Sequence, residues 1–188
     1  MPKESSYNSS ESTASLVSKA RLGDRDAFGI LYEKYTVPIY RFIYFKVSSK
    51  EEAEDITQVV FLKAWKSVER FKGKDTQLTS WLYSIARNCV IDHYRKKKDV
   101  LVEEPEIFNS LEAKEKTDTL STSREAKEEV EKLLEQLPDK QREILVLRFI
   151  NEVSNKEIAK IYKMRQSAIR KIQSRALATL REITKDNE

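Results

Sequence analysis

The sequence predicts an all-α protein built as two small helical domains joined by a flexible acidic linker. Glycine occurs only 3 times in 188 residues while charged residues make up 35% of the chain, a composition suited to soluble helices rather than sheets. Apolar residues recur at helical spacing through most of the chain, as amphipathic helices require. The segment 99–123 breaks that pattern. It holds seven acids (Asp99, Glu103, Glu104, Glu106, Glu112, Glu115, Asp118) against two bases, Lys114 and Lys116. The formal net charge of +4 is therefore divided into −5 on this segment and +9 on the remainder. A basic body points to a polyanion as its partner, and an acidic connector to something basic. The expected divisions are a disordered N-terminus (1–12), a first domain (13–98), the linker (99–123) and a second domain (124–188).

Taken in order, residues 13–22 form a short helix that stops at Gly23, a natural residue for the left-handed position after a helix. Asp24 can cap a second helix with Phe28, Leu31, Tyr32 and Tyr35 on one side. Pro38 removes a backbone donor, so this helix should kink or restart before Ile39–Val47. Ser48 and Ser49 mark the next break. Glu51–Phe71 is the strongest helical pattern: Ala53, Ile56, Val60, Ala64, Val68 and Phe71 make one stripe, with acids in the first turn complementing the helix dipole. Its outer face reads Asp55, Gln58, Val59, Leu62 and Lys66. Two apolar residues framed by polar ones have the look of a docking surface.

The loop Lys72–Ser80 then leads into Trp81–Lys98, a stretch uninterrupted by Gly or Pro. Leu82, Ile85, Ala86, Cys89, Val90 and His93 fall on its core-facing side. The opposite arc carries Trp81, Ser84, Arg87, Asn88, Ile91, Tyr94 and Arg95, followed by Lys96, Lys97 and Lys98. Rings stack on bases, amides read base edges and cations hold phosphates. Beyond the linker, Val130, Leu133, Leu134 and Leu137 form a stripe ending at Pro138. Asp139–Ile150 is another apolar-faced helix. Ser154 and Glu157 make a capping box for a third, short helix, followed by a turn at Lys163 and Met164. The last helix turns Ile169, Ile172, Ala176, Leu180 and Ile183 inward, leaving Ser167, Arg170, Lys171, Ser174 and Arg175 outside. A short helix, a tight turn and a long basic helix make a helix-turn-helix, whose last helix enters a major groove.

Several function classes are disfavoured. The single cysteine and single histidine provide no zinc-ligand spacing, and Cys89 has no placed base to activate it. Consecutive acids in one helical turn point around the helix rather than converging on a metal. No stretch approaches a membrane span or a secretory signal core. The residues therefore imply no cofactor, no metal, no catalytic group, no small-molecule substrate and no membrane insertion, and a cytoplasmic setting.

Four stretches in this order carry a family resemblance: AEDITQVVFLKAW (Ala53–Trp65), WLYSIARNCVIDHYRKK (Trp81–Lys97), LPDKQREILVLRFI (Leu137–Ile150) and NKEIAKIYKMRQSAIRKIQSRALATLR (Asn155–Arg181). With them the chain resembles an extracytoplasmic-function (ECF) sigma factor of the sigma-70 family, from Leu16 to Arg181. The resemblance implies a bacterial transcription initiation factor whose regions 2 and 4 bind core RNA polymerase through its β′ and β subunits and select promoter DNA. It places Asp55, Gln58, Val59 and Leu62 against the polymerase. It assigns Lys74, Thr79, Ser80, Trp81, Ser84, Arg87, Asn88, Asp92, Arg95 and Lys96 to the −10 element, with the Lys72–Ser80 loop and Asn88 holding a flipped base. It assigns Arg165, Gln166, Ser167, Arg170, Lys171, Ser174 and Arg175 to the −35 element. The acidic linker would thread the polymerase's basic channel, and a separate anti-sigma protein would regulate the chain.

Three positions depart from the family pattern. Val59 stands where an acid is usual after Gln58, Lys163 where the turn usually has glycine, and Arg165 where a Ser or Thr helix cap is common. Two other readings share some of these features. A stand-alone helix-turn-helix regulator would explain Asn155–Arg181 but not the aromatic and basic face of Trp81–Lys98. A polymerase-binding adaptor would keep the Asp55–Leu62 surface without needing Asn88 or Arg170.

Overall fold

The computed structural model describes residues 11–73, 77–103 and 124–185. Eight α-helices make up the described architecture, and no strand occurs among these residues. The first group contains α1 (Thr13–Arg21), α2 (Arg25–Val47), α3 (Lys50–Ser67) and α4 (Leu78–Glu103). A 3-10 turn, Val68–Arg70, closes α3. The second contains α5 (Arg124–Glu135), α6 (Asp139–Leu145), α7 (Asn155–Ile161) and α8 (Gln166–Lys185).

Local sequence chemistry sets these ends. Helix α1 finishes with Asp24 N–H on the Lys19 carbonyl and Gly23 N–H on the Ala20 carbonyl, with Gly23 at φ 88°. That paired closure needs a left-handed residue between the two helices. Asp24 then starts α2 by accepting from the Asp26 and Ala27 amides at 3.0 Å each. Ser49 caps α3, and Ser154 with Glu157 forms the reciprocal capping box of α7.

Helix α2 is the spine of the first group and packs against α1, α3 and α4. It does not restart at Pro38, one of the two outcomes expected there, but continues through that residue as a single helix. A proline inside a helix costs about 3 kcal/mol. Burying an Ile or Phe side chain returns roughly 1.5–3 kcal/mol, and Ile39, Phe42 and Ile43, all just past Pro38, are buried. The packing therefore outweighs the missing bond. Phe42 meets Tyr83 of α4 edge-on at 5.4 Å between ring centres. Phe28 and Tyr32 meet Trp65 and Phe61 of α3 in the same manner at 4.9 and 4.7 Å.

Helix α4 is longer than its expected Trp81–Lys98 span. It starts at Leu78, which is buried, and continues to Glu103. The first residues placed in the linker, 99–103, are thus helical. Linker residues 104–123 and N-terminal residues 1–10 lie outside the described residues.

In the second group, α8 packs against α5, α6 and α7. The helix expected over Asp139–Ile150 divides, with α6 passing into a wider π-turn at Val146–Ile150, closed by Asn151 N–H on the Val146 carbonyl. Leu134 and Leu137 are buried as expected, whereas Val130 is 44% exposed. Gln173 of α8, itself buried, donates to the Asn155 side chain at 2.8 Å and fixes the start of α7 against α8.

The turn between α7 and α8 repeats the closure seen after α1. Met164 N–H reaches the Ala159 carbonyl at 2.8 Å and Lys163 N–H the Lys160 carbonyl at 3.2 Å. Here the left-handed residue, at φ 52°, is Lys163. The same motif is thus made once with glycine and once without it. Lys163→Gly should raise stability by about 0.5–1 kcal/mol, because it relieves left-handed strain. Gly23→Ala should lower it by a similar amount, since a Cβ there meets nothing within 4 Å and the penalty is purely backbone. Urea midpoints of the two variants, moving in opposite directions, check this.

Candidate nucleic-acid interface

Three outward faces and one internal contact contain the residues singled out from the sequence. Helix α3 packs Ala53, Ile56, Val60, Phe61 and Ala64 inward, so Asp55, Gln58, Val59 and Leu62 share the outer side. Val59 is 44% and Leu62 54% exposed, an apolar pair that no described element covers.

The second face belongs to α4. Leu82, Tyr83, Ala86, Cys89 and Val90 are buried, which turns Ser84, Arg87, Asn88, Ile91 and Arg95 away from the core. Tyr83 joins that core although the helical stripe read from the sequence passed over it. Trp81 packs against Phe71 at 4.8 Å between ring centres and is only half covered. Thr79 lies with its hydroxyl 3.4 Å from that of Tyr35. Asn88, Arg95 and Lys96 are exposed. Asp92 sits between Lys63 at 3.5 Å and Arg95 at 3.6 Å, so its charge is balanced within the helix pair. His93 and Lys97 both face Glu52 of α3, at 3.4 and 2.9 Å.

Two residues expected on this face are placed differently. Ser80 is buried, and its hydroxyl donates to the Gln77 carbonyl at 2.9 Å. It shapes the first turn of α4 instead of presenting a group outward. Arg87 is half-covered by the second group of helices, as described below. Lys74 lies outside the described residues.

The third face is on α8. Ile169, Gln173 and Ala176 are buried, while Arg165, Gln166, Ser167, Arg170, Lys171, Ser174 and Arg175 are all exposed. The Arg165 carbonyl accepts the first helical bonds, from Ala168 at 3.0 Å and Ile169 at 3.2 Å. Arg165 is thus the cap residue, and a guanidinium has no acceptor to offer the free amides there. Cations and hydroxyls on one side of a helix that follows a tight turn suit phosphates and base edges of a duplex.

The internal contact was not legible in the sequence. Glu143 of α6 is buried, with Lys46 of α2 at 2.6 Å and Arg87 Nε of α4 at 3.6 Å. The Tyr162 hydroxyl donates to the same carboxylate, and the Arg87 guanidinium lies 5.2 Å from the Tyr162 ring centre. Tyr94 closes one side by donating to the Lys46 carbonyl at 2.5 Å. The only sequence signal was an acid adjoining the apolar run Ile144–Leu147. Its partners are supplied by helices far away in the chain.

Burial pushes the Cys89 thiol above its ordinary range, with Lys63 partly opposing, which keeps it protonated and unreactive. Among the described residues no group of three or more His, Cys, Asp or Glu side chains could hold a metal ion. No described helix is long and apolar enough to cross a membrane.

Two family models match the chain, together over more than half of it: sigma-70 region 2 on residues 31–100 and sigma-70 region 4 on residues 133–182. The ECF RNA polymerase sigma factor BldN of Streptomyces coelicolor is 33% identical over 175 residues, covering 92% of this chain and 66% of BldN. The ECF RNA polymerase sigma factor SigX of Bacillus subtilis is 30% identical over 162 residues, covering 84% of this chain and 83% of SigX. Among solved structures, CnrH in complex with the cytosolic domain of CnrY has the same fold, with a TM-score of 0.73 at 22% identity over 95% of this chain and all of CnrH. The sigma factor RpoE bound to the anti-sigma factor NepR, from Bartonella quintana, gives a TM-score of 0.69 at 25% identity, covering 86% of this chain and 98% of RpoE.

Burial also raises the Tyr83 and Tyr162 phenols, and the Glu143 carboxylate raises Tyr162 further. A raised value means that both phenols are neutral in the fold. The stability they contribute is complete below the unfolded tyrosine value near ~10 and is lost as pH rises beyond it. The urea midpoint should therefore be unaffected by these phenols up to about pH 9 and fall above pH ~10. Tyr162→Phe should show a shallower alkaline fall than the parent chain.

Proposed function

Since this chain belongs to the sigma-70 family, whose members are RNA polymerase initiation factors and not enzymes, we propose that it selects promoters through two DNA-reading faces. In this reading the outer side of α3 (Asp55, Gln58, Val59, Leu62) docks on the β′ subunit of core RNA polymerase. The arc of α4 around Trp81, Ser84, Arg87, Asn88, Asp92, Arg95 and Lys96, with Lys74 and Thr79 before it, captures the −10 element. The outer side of α8, from Arg165 to Arg175, reads the −35 element, and the acidic segment between the two domains follows the polymerase's basic channel. The protein works in the cytoplasm, where the polymerase is.

The observation that carries this reading is the division of α4 itself. Its inner residues are fully packed, leaving an outer side that combines an indole, a carboxamide, a phenol and guanidinium groups. Unstacking a base costs a few kcal/mol, which ring stacking and side-chain amide hydrogen bonds can return. A helix serving only as scaffold has no need of that mixture. Asn88 is the exposed amide of this set. Docking on the polymerase brings the required proximity, so the chemistry of RNA synthesis stays entirely with the polymerase.

An anti-sigma partner belongs to the same proposal. The Bartonella quintana relative was solved with one, and the exposed apolar pair Val59 and Leu62 offers a surface that such a protein would need to cover to compete with polymerase.

In vitro transcription from genomic fragments with sigma-free core polymerase is the test. Discrete transcripts should appear only when the protein is added. Asn88→Ala should abolish them while leaving polymerase binding intact. Arg170→Ala should weaken promoter binding and lower the salt dependence of the holoenzyme's affinity by about 0.9 in log–log slope, the loss of one phosphate contact. A protein that binds no polymerase would sink the proposal.

A further inference from the structure

Gly73 and Gly23 serve opposite needs. Gly23 is left-handed, and a Cβ there would meet nothing within 4 Å. Gly73 is not among the left-handed residues, so backbone freedom does not explain it. A Cβ at Gly73 would instead lie 2.5 and 2.6 Å from Cζ and Cε2 of the Phe71 ring and 3.0 Å from Gln77 Oε1. The position has no room for a side chain. The ring that it presses on is itself held: Phe71 is buried, and its N–H closes the 3-10 turn on the Val68 carbonyl at 3.0 Å. The same ring lies against the Trp81 indole, 4.8 Å between centres and 38° between planes. Gly73, Phe71 and Trp81 thus make a chain of contacts, backbone against ring and ring against indole.

We infer that Gly73 is a positioning residue for the α4 face: by carrying no side chain it lets the Phe71 ring close on Trp81 and hold the indole in one orientation, as a surface on which a base stacks. The inference rests on the reading of α4 as a DNA-binding face. Ser84 and Asn88 follow Trp81 at i+3 and i+7 and share its side of the helix. At about 1.5 Å of rise per residue, Asn88 stands roughly 10 Å further along, about three stacked bases away, so the indole and the carboxamide meet different bases. A base taken out of the stack leaves its neighbour's face bare, and an aromatic ring covers such a face whatever its sequence. A ring that is already ordered loses no rotamer freedom when it does so. Trp81 is only half covered, so it is backed by Phe71 and still accessible. Because Phe71 is buried, a side chain at position 73 displaces the ring within the core, and the disturbance passes to the indole.

The full-length chain carrying Trp65→Phe has Trp81 as its single tryptophan, and its emission reports the indole directly. In that background Gly73→Ala should shift the emission to the red and make it more easily quenched by acrylamide. Phe71→Leu, which removes the backing ring, should do the same, and circular dichroism melts verify that both variants are folded. With core polymerase and a promoter fragment found by the transcription assay, Gly73→Ala should weaken binding by about fivefold, the cost of ordering one free side chain. Core polymerase binding should be unchanged. The decisive comparison is with Trp81→Ala: if Gly73 acts through the indole, adding Gly73→Ala to Trp81→Ala weakens promoter binding no further. A folded Gly73→Ala chain whose indole is as shielded as the parent's would overturn the inference. So would a fivefold loss that persists in full beneath Trp81→Ala. A parent chain without transcripts counts against the proposed function alone, and the quenching comparison then decides whether Gly73 and Phe71 hold the indole.

Discussion

The burial of one side of α4 is the constraint on which the other features depend. Leu82, Tyr83, Ala86, Cys89 and Val90 are buried where α4 packs against α2, α3 and α7, and Tyr83 locks against Phe42. Once that side is fixed, a helix has no rotational freedom left, and every residue on the opposite arc acquires a defined direction. Asn88 faces outward because Ala86 and Val90 face inward. The same logic sets α3, whose inward stripe pushes Val59 and Leu62 into the open, and α8, where Ile169 and Ala176 commit Arg170 and Arg175 to the surface. Function here is read out from packing: the core specifies which side chains are available to partners.

A second feature is how much of the polar chemistry is internal bookkeeping between helices. Asp92 is balanced by Lys63 and Arg95, and Glu52 by His93 and Lys97. These pairs are partly exposed, where an ion pair is worth about 0–1 kcal/mol, so they orient side chains more than they hold the fold. Glu143 differs because it is buried. Removing one partner from a buried pair costs about 3–5 kcal/mol when the other charge stays buried, but far less when separation of the helices lets water in.

The helices and their caps were largely legible in the sequence because they depend on nearby residues. Gly23, Asp24 and the Ser154–Glu157 box act within a few positions of themselves, and each performs the expected part. The stripe of α4 was legible for the same reason, and with it the outward placement of Asn88 and Arg95. What sequence reasoning missed depends on distant partners. Pro38 was read as a kink or a restart because its missing bond is local, and the restart fails because the packing of Ile39, Phe42 and Ile43 that carries the helix through is tertiary. Ser80 was read as a surface hydroxyl, but the helix begins earlier at Leu78 and turns it inward. Glu143, Lys46 and Arg87 lie on three different helices and Tyr162 in the turn that ends a fourth, and nothing in their local spacing brings them together.

The most direct test of the account is footprinting on a duplex promoter fragment with the protein alone, core polymerase alone and the two combined. The account predicts that only the combination protects the DNA, over two separate segments, with unpaired bases in the segment that the α4 face would engage. Protection of a single duplex segment by the protein alone, unchanged by polymerase, would contradict it and leave α8 as the reading head of an ordinary helix-turn-helix regulator.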